Sequence, residues 1–156
     1  MGERGAQLLE IAKGQISELA SLLSTRGNAA LTLPCPGRGK LGDGTVGATA
    51  LHTADSYRRI AAFLQETVDA PTSSHPASHG RHYRADNVDL NRLLERLSEA
   101  QGALSSLGGL SDEQLDAVPP ASEMRFCDGQ RTLEQVLTSL LTHQRHQIDA
   151  LKAAVT

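Results

Sequence analysis

The fold is decided by the last stretch of the chain, 131-RTLEQVLTSLLTHQRHQIDALKAAV-155. Its apolar residues recur three or four positions apart, which is the spacing of one face of an amphipathic α-helix. They are Leu133, Val136, Leu137, Leu140, Ile148, Leu151 and Val155. The stretch therefore predicts a long helix over 131–155 with one face turned toward a core.

Three earlier segments repeat this pattern. Apolar stripes predict helices over 6–25, 45–68 and 86–107, and Ser111-Asp112-Glu113-Gln114 predicts one capped helical turn. The connections 27–44 and 70–85 are long and are rich in glycine, proline, serine or histidine. With almost no strand signal, these elements predict an all-α fold in which residues 1–156 form a single four-helix bundle domain. The long connections mean that the helices need not follow a simple up-down-up-down order.

Composition excludes several classes of function. The formal net charge is −3 and aromatic residues make up 3% of the chain, so it lacks both the basic surface and the stacking rings of a nucleic-acid binder. No apolar run approaches the length of a membrane span, and the amphipathic N-terminal stretch does not resemble a signal peptide. Cys35 and Cys127 are too few for a disulfide framework. These features predict a cytoplasmic protein without nucleic-acid or membrane partners.

Polar residues interrupt the core-facing stripe of the last helix. At 100° per residue, Gln144 lies near the middle of the stripe, Gln147 lies within it and His143 lies at its edge, whereas His146 points away. An unpaired buried polar group costs about 1–3 kcal/mol, so this pattern predicts a metal ion, a bound ligand or a buried polar network. His52, on the second helix, would meet these residues across the bundle. Histidines in ordinary hydrogen-bonded networks, or at the surface, are the alternative interpretation.

Two segments carry a resemblance to a known family. The segment 44-GTVGATALHTADSYR-58, preceded by 33-LPCPG-37, resembles the first motif of the DinB/YfiT-like superfamily, in which a helix presents a single metal-binding histidine. The segment 141-LTHQRHQI-148 resembles the second motif, His-x-x-His-His, whose first and last histidines bind the metal. The resemblance implies a four-helix bundle and a divalent metal, zinc or nickel, bound by three residues.

Position by position, the resemblance makes His52 and His143 metal ligands and places Gln147 where the family has its third histidine. A glutamine carbonyl is a weaker, neutral donor than the usual zinc ligands. Three hypotheses follow. The site binds a metal through His52, His143 and Gln147 with lower affinity, or His146 serves as the third ligand in place of Gln147. In the third hypothesis, the site has lost its metal and become a polar ligand pocket.

Other residues are weaker candidates. Gln144 and His146 are expected to contact the ligands or the substrate. Asp55 and Asp149, one turn from the candidate ligands, would either orient them through hydrogen bonds or be solvated surface carboxylates. The loop histidines have ligand-like spacing, but the proline and glycine among them disfavour the helix that a site would need. A solvated loop is expected there, or contact of His79 or His82 with substrate; the spacing is His75-x3-His79-x2-His82.

The glycine-rich segment 37–47 and the two cysteines are further patterns that could carry chemistry. The G-x-G-x-x-G matches at 37–42 and 42–47 lack the strand and βαβ unit of a dinucleotide site. Cys35 and Cys127 are either small buried residues or reactive thiols beside Arg38 and Arg125.

The expected function is a divalent-metal-dependent enzyme acting on a small-molecule substrate, either a thiol S-transferase or a hydrolase, as the resemblance implies. An arginine- and alanine-rich composition is typical of a GC-rich bacterial genome, which would make mycothiol a reasonable thiol. Two alternatives stay open. One is a non-catalytic bundle that binds a small molecule at a degenerate metal site. The other is a bundle that acts by association through its exposed helix faces, for example as a homodimer.

Overall fold

The computed structural model describes residues 3–35, 44–68, 89–122 and 124–155. The α-helices are α1 (Glu3–Arg26), α2 (Val46–Val68), α3 (Leu90–Ala103), α4 (Asp112–Asp116) and α5 (Leu133–Val155), with 3₁₀ helices at Asn28–Thr32 and Leu104–Gly109. Within these residues there is no β-strand, and pairing is limited to one isolated antiparallel bridge between Pro34 and Thr45. The predicted all-α class is confirmed.

The third long helix differs most from its predicted bounds of 86–107. It begins at Leu90 because Asp89 is extended and acts as the N-cap, its side chain accepting a hydrogen bond from the backbone N–H of Arg92 at 2.8 Å. It ends at Ala103, and the chain then tightens into the second 3₁₀ helix. Residues three apart in a 3₁₀ helix share a face, so Leu104 and Leu107 are both buried there. The predicted turn at Ser111 is present as α4, with a complete capping box formed with Gln114.

The four long helices each pack against two others. Helix α1 packs against α3 and α5, and α2 packs against the same two helices. Their apolar stripes meet in one core, as binary patterning requires. It includes Ile16, Leu19, Ala54, Tyr57, Leu93, Leu97, Leu137 and Ile148, all at most 2% exposed.

Contacts at the helix ends give the directions of the helices. Helices α1 and α5 run parallel, because Arg4 pairs with Glu134 near their starts at 2.6 Å and Glu18 pairs with Lys152 further along at 2.8 Å.

Helices α2 and α3 begin where α1 ends. The backbone N–H of Leu90 donates to Asn28 Oδ1 and that of Val46 donates to the carbonyl of Leu33, both at 2.8 Å. Both helices are therefore antiparallel to α1 and α5, and the order is not up-down-up-down.

Helix α1 approaches the second 3₁₀ helix very closely at Gly5. A Cβ atom at this position would lie 2.6 Å from the carbonyl oxygen of Leu107 and 3.0 Å from that of Leu110. Both are backbone atoms that cannot move independently, so the absence of a side chain at Gly5 sets the distance between the two elements. By contrast, a Cβ atom at Gly14, on the exposed face of the same helix, would meet nothing within 4 Å.

We therefore expect opposite effects from two alanine substitutions in α1. Gly5→Ala should lower the free energy of unfolding by about 1–3 kcal/mol because the backbones must separate. Gly14→Ala should raise it by about 0.5–1 kcal/mol because alanine loses less conformational freedom in a helix. Urea denaturation of both variants measures the difference, and equal effects would contradict the close approach at Gly5.

An ion-pair cluster joins α1 to α5. Arg145 donates two hydrogen bonds to Glu18, both at 2.8 Å, and two to Asp149 Oδ1, at 2.8 and 3.1 Å. Lys152 also pairs with Glu18 at 2.8 Å. The hydrogen bond from Arg145 is the largest influence on Glu18 and, with that from Lys152, lowers the pKa of its carboxyl from 4.5 to about 2.

The cluster gives the fold a specific pH dependence. Because the pKa of Glu18 is lowered in the folded protein, the ionised carboxylate stabilises the fold. This contribution to the free energy of unfolding is complete above pH 4.5 and is lost as the pH falls toward about 2. Glu18→Gln should cost about 1 kcal/mol of unfolding free energy at pH 7, since the side chains are partly exposed. The deficit relative to wild type should shrink as the pH falls through that window. Glu10→Gln, at an exposed position of the same helix, is the control, and a deficit independent of pH would argue against the ion pair.

Candidate metal and ligand site

The candidate site lies where α2 crosses α5. The Gln144 side chain, 1% exposed, donates a hydrogen bond from Nε2 to the carbonyl of Thr53 at 2.8 Å. This bond joins the residue after His143 to the residue after His52. It therefore brings the two segments with the predicted ligands to the same level of the interface. His52 and His143 are both half-buried.

Burial confirms the faces that the helical periodicity of about 100° per residue predicted for α5. Gln144 and Gln147 are buried, His143 is half-buried and His146 is exposed. A ligand role for His146 in place of Gln147 would therefore need a side chain that lies on the solvent face of α5.

A buried polar network holds α1 against this crossing. The Tyr57 hydroxyl donates to Gln15 Oε1 at 2.7 Å, and Gln15 Nε2 donates to the carbonyl of Leu141 at 3.0 Å. Tyr57 is fully buried and Gln15 is 6% exposed. Burial raises the pKa of Tyr57 above its usual value, with a smaller opposing effect from the neighbouring Gln144 side chain, so the phenol stays protonated and remains a donor.

The Gln147 amide has one satisfied and one unsatisfied end. Its Nε2 lies 3.3 Å from His143 Nε2. An amide nitrogen only donates, so a hydrogen bond here makes His143 Nε2 the acceptor and places the ring proton on Nδ1. The carbonyl oxygen, Gln147 Oε1, is buried and has no hydrogen-bond partner in the described part of the chain.

A second unsatisfied atom lies on α2, one turn before Thr53. Thr49 is fully buried, and its Oγ1 finds no partner among residues 3–35, 44–68, 89–122 and 124–155. Helices α2 and α5 are antiparallel, so the turn of α2 before Thr53 lies opposite the turn of α5 after Gln144. Thr49 and Gln147 occupy these two turns, with His52 and His143 beside them.

The other candidates have different surroundings. Asp55 accepts a hydrogen bond from Arg96 at 3.3 Å, and Asp149 is exposed and pairs with Arg145. The ion pair of Asp149 favours its interpretation as a surface carboxylate. The predictions for His75, His79 and His82 fall on residues outside those described.

Both cysteines favour the structural interpretation. They are buried free thiols, and each lies near a backbone carbonyl: Cys35 Sγ is 3.9 Å from the oxygen of Ala150, and Cys127 Sγ is 3.3 Å from that of Pro120. A reactive thiol needs partial exposure, which neither has.

The chemistry of a metal site here would be unusual. Among the described residues, no three His, Cys, Asp or Glu side chains are grouped so that they could hold a metal ion. The set of His52, His143 and Gln147 instead offers two imidazoles and one amide oxygen. The unsatisfied, buried Gln147 oxygen fits a ligand role, whereas the contact of its amide nitrogen with His143 Nε2 would have to break. All three are neutral donors, and such donors bind a divalent ion more weakly than thiolates or carboxylates do.

Comparison of the chain with protein-family models, curated proteins and solved structures gave no match. Among the described helices, none combines the length and the apolar character needed to cross a membrane.

Sequence reasoning missed two polar residues of this region. Gln15 lies on the core-facing stripe of α1, between Ala12 and Ile16, and the wheel argument used for Gln144 would have found it. Thr49 gives no such signal, because a buried threonine in a helix usually bonds to its own backbone. Only the structure reveals that its hydroxyl does not.

The network predicts a measurable coupling between α1 and α2. Tyr57→Phe should lower the free energy of unfolding by about 1–3 kcal/mol because it leaves Gln15 Oε1 buried without its donor. In the double variant with Gln15→Leu, the loss should be smaller than the sum of the two single losses. Denaturant unfolding of the four proteins gives the coupling energy, and strict additivity would contradict the hydrogen bond.

Proposed function

We propose that the chain is a DinB/YfiT-like four-helix bundle that binds a divalent metal, zinc or nickel, between α2 and α5. It would act on a small molecule as a thiol S-transferase or a hydrolase. The observation that carries the proposal is the buried, unsatisfied Gln147 carbonyl oxygen beside His143. The crossing that aligns the His52 and His143 segments through Gln144 and Thr53 supports it. So does the packing of four long helices in which each contacts two others.

A bound divalent ion would supply the Lewis acidity that activates water for hydrolysis or a thiol for transfer. His52, His143 and Gln147 would hold it, and three protein ligands leave open positions, as in catalytic rather than structural sites. To bind through Nε2, His143 must release the Gln147 amide, which lowers the affinity by the strength of that hydrogen bond.

The neutral donor set favours the thiol transferase over the hydrolase. Two imidazoles and an amide leave both positive charges of the ion uncompensated by protein. An additional ligand that is anionic, such as a thiolate, is then more strongly favoured than at a site that includes a carboxylate. A low-molecular-weight thiol such as mycothiol is the co-substrate that this chemistry suits.

The alternative is a non-catalytic protein that binds a small molecule in a polar pocket derived from a metal site. The contact between Gln147 Nε2 and His143 Nε2 favours it, because it engages the nitrogen that a metal would need. The two proposals differ in whether the protein contains stoichiometric metal.

Elemental analysis of protein purified without a histidine tag tests the proposal. About one equivalent of zinc or nickel is expected in the wild type. His52→Ala and His143→Ala should reduce this to background because each removes one of only three ligands. His146→Ala is the matched control, since this histidine lies on the exposed face of the same helix, and it should retain the metal.

The outcomes separate the alternatives. Absence of metal in the wild type, even after incubation with zinc or nickel salts, would reject the metalloenzyme and favour the small-molecule binder. Loss of metal in His146→Ala but not in His143→Ala would place the site elsewhere. With metal present, a requirement for added thiol in product formation distinguishes the transferase from the hydrolase.

A further inference from the structure

The α2–α5 interface contains the same pair of residue types twice, one helical turn apart. Thr53 and Gln144 form the first pair and are joined by a hydrogen bond from the Gln144 amide to the Thr53 carbonyl. Thr49 and Gln147 form the second pair, and each has a buried oxygen without a partner in the part of the chain that the structure describes. The difference cannot come from exposure, because all four residues are at most 3% exposed.

The Thr49 hydroxyl departs from a local rule that its neighbours obey. Hydroxyl groups within helices usually donate to the carbonyl four residues earlier. Thr53, Ser56 and Thr142 all do so, at 2.8–2.9 Å. Thr49 has the carbonyl of Thr45 at the equivalent position, yet its Oγ1 makes no such bond. Its hydroxyl is therefore available for a partner outside its own helix.

Two unsatisfied oxygens at one level of a helix interface lower the stability of the fold. A valine at position 49 would fill nearly the same volume without a polar atom, and a leucine at position 147 would continue the apolar stripe of α5. Residues that lower stability and have no structural partner are typical of binding sites, where the partner is a ligand.

We propose that Thr49 Oγ1 and Gln147 Oε1, the two unsatisfied oxygens on facing turns of α2 and α5, together bind one small group of a ligand held between these helices. The group must donate a hydrogen bond to the Gln147 carbonyl and interact with the Thr49 hydroxyl, which both donates and accepts. A thiol, a hydroxyl or a water molecule has this chemistry. Thr49 is then an additional binding residue beside His52 and His143. The inference rests on the proposed function because it concerns the same site.

The stability of the chelator-treated protein is the first test. Thr49→Val should raise the melting temperature by about 2–5 °C, because it removes a buried hydroxyl that has no partner. Thr53→Val is the matched control, one turn away and equally buried. It removes a hydroxyl that donates to the Thr49 carbonyl at 2.8 Å, so its melting temperature should not rise. A lower melting temperature for Thr49→Val would show that the hydroxyl has a structural role and would overturn the proposal.

Binding is the second test, and each probe is used alone. Nickel chloride tests the binding of a metal ion with its water, and N-acetylcysteine tests the binding of a thiol. For whichever of the two probes the wild type binds, calorimetric titration should show about tenfold weaker binding to Thr49→Val. Thr53→Val should bind that probe as wild type does. Thr49→Ser keeps the hydroxyl and should also retain binding, which separates loss of the hydroxyl from a packing effect.

The two proposals fail in different ways. If wild type binds nickel and loses it in His52→Ala, but Thr49→Val binds both probes as Thr53→Val does, the inference is wrong and the proposed metal site stands. If wild type binds only the thiol and Thr49→Val weakens that binding, the inference stands without the metal. Binding of neither probe to wild type would overturn both.

Discussion

The hydrogen bond from Gln144 to the Thr53 carbonyl is the constraint on which the geometry of the site depends. Leucine side chains pack against one another in many registers with similar energies, but a buried amide has a fixed number of donors and a strict need for partners. If α5 shifted by one turn along α2, the buried Gln144 amide would lose its acceptor. The Gln15 bonds to Tyr57 and Leu141 impose the same condition on α1. Three helices are thus held in one register by polar contacts.

This register also explains why the unsatisfied atoms persist. Once Thr53 and Gln144 are aligned, Thr49 and Gln147 are carried to facing turns whether or not they find partners. The hydrogen-bonded pair fixes the position of the next turn, where the proposed ligand would bind. A binding residue is most effective when neighbouring contacts already fix its position, because ordering it then costs nothing when the ligand arrives. The arrangement separates the polar groups that specify the fold from those available for binding.

The sequence predicts the helices and the inward face of α5 well, because both depend on local periodicity. The burial of Gln144 and Gln147 and the exposure of His146 follow from the wheel alone. The predicted start of α3 differs from the observed one because Asp89 acts as the N-cap, so the helix begins at Leu90. Partners across the bundle could not be predicted from periodicity, since they depend on helix direction and register. The parallel arrangement of α1 with α5 is set by contacts between residues such as Arg4 and Glu134, 130 positions apart in the sequence.

The two proposed functions, a metal site and a polar site for a small molecule, both depend on the Gln147 amide. A histidine at this position would bind a metal through one ring nitrogen, which would leave only the other ring nitrogen for a contact with His143. The amide instead presents two different ends, a donor that contacts His143 and an acceptor that has no partner among the described residues. While the donor engages His143 Nε2, that nitrogen is not available to a metal ion. In the proposed metal site, the amide would have to release the ring so that His143 Nε2 could bind the ion. The free energy of this one hydrogen bond, about 1 kcal/mol for neutral partners, is small compared with the binding energy of a divalent ion. In the proposed metal site, a glutamine at position 147 would therefore weaken metal binding without abolishing it.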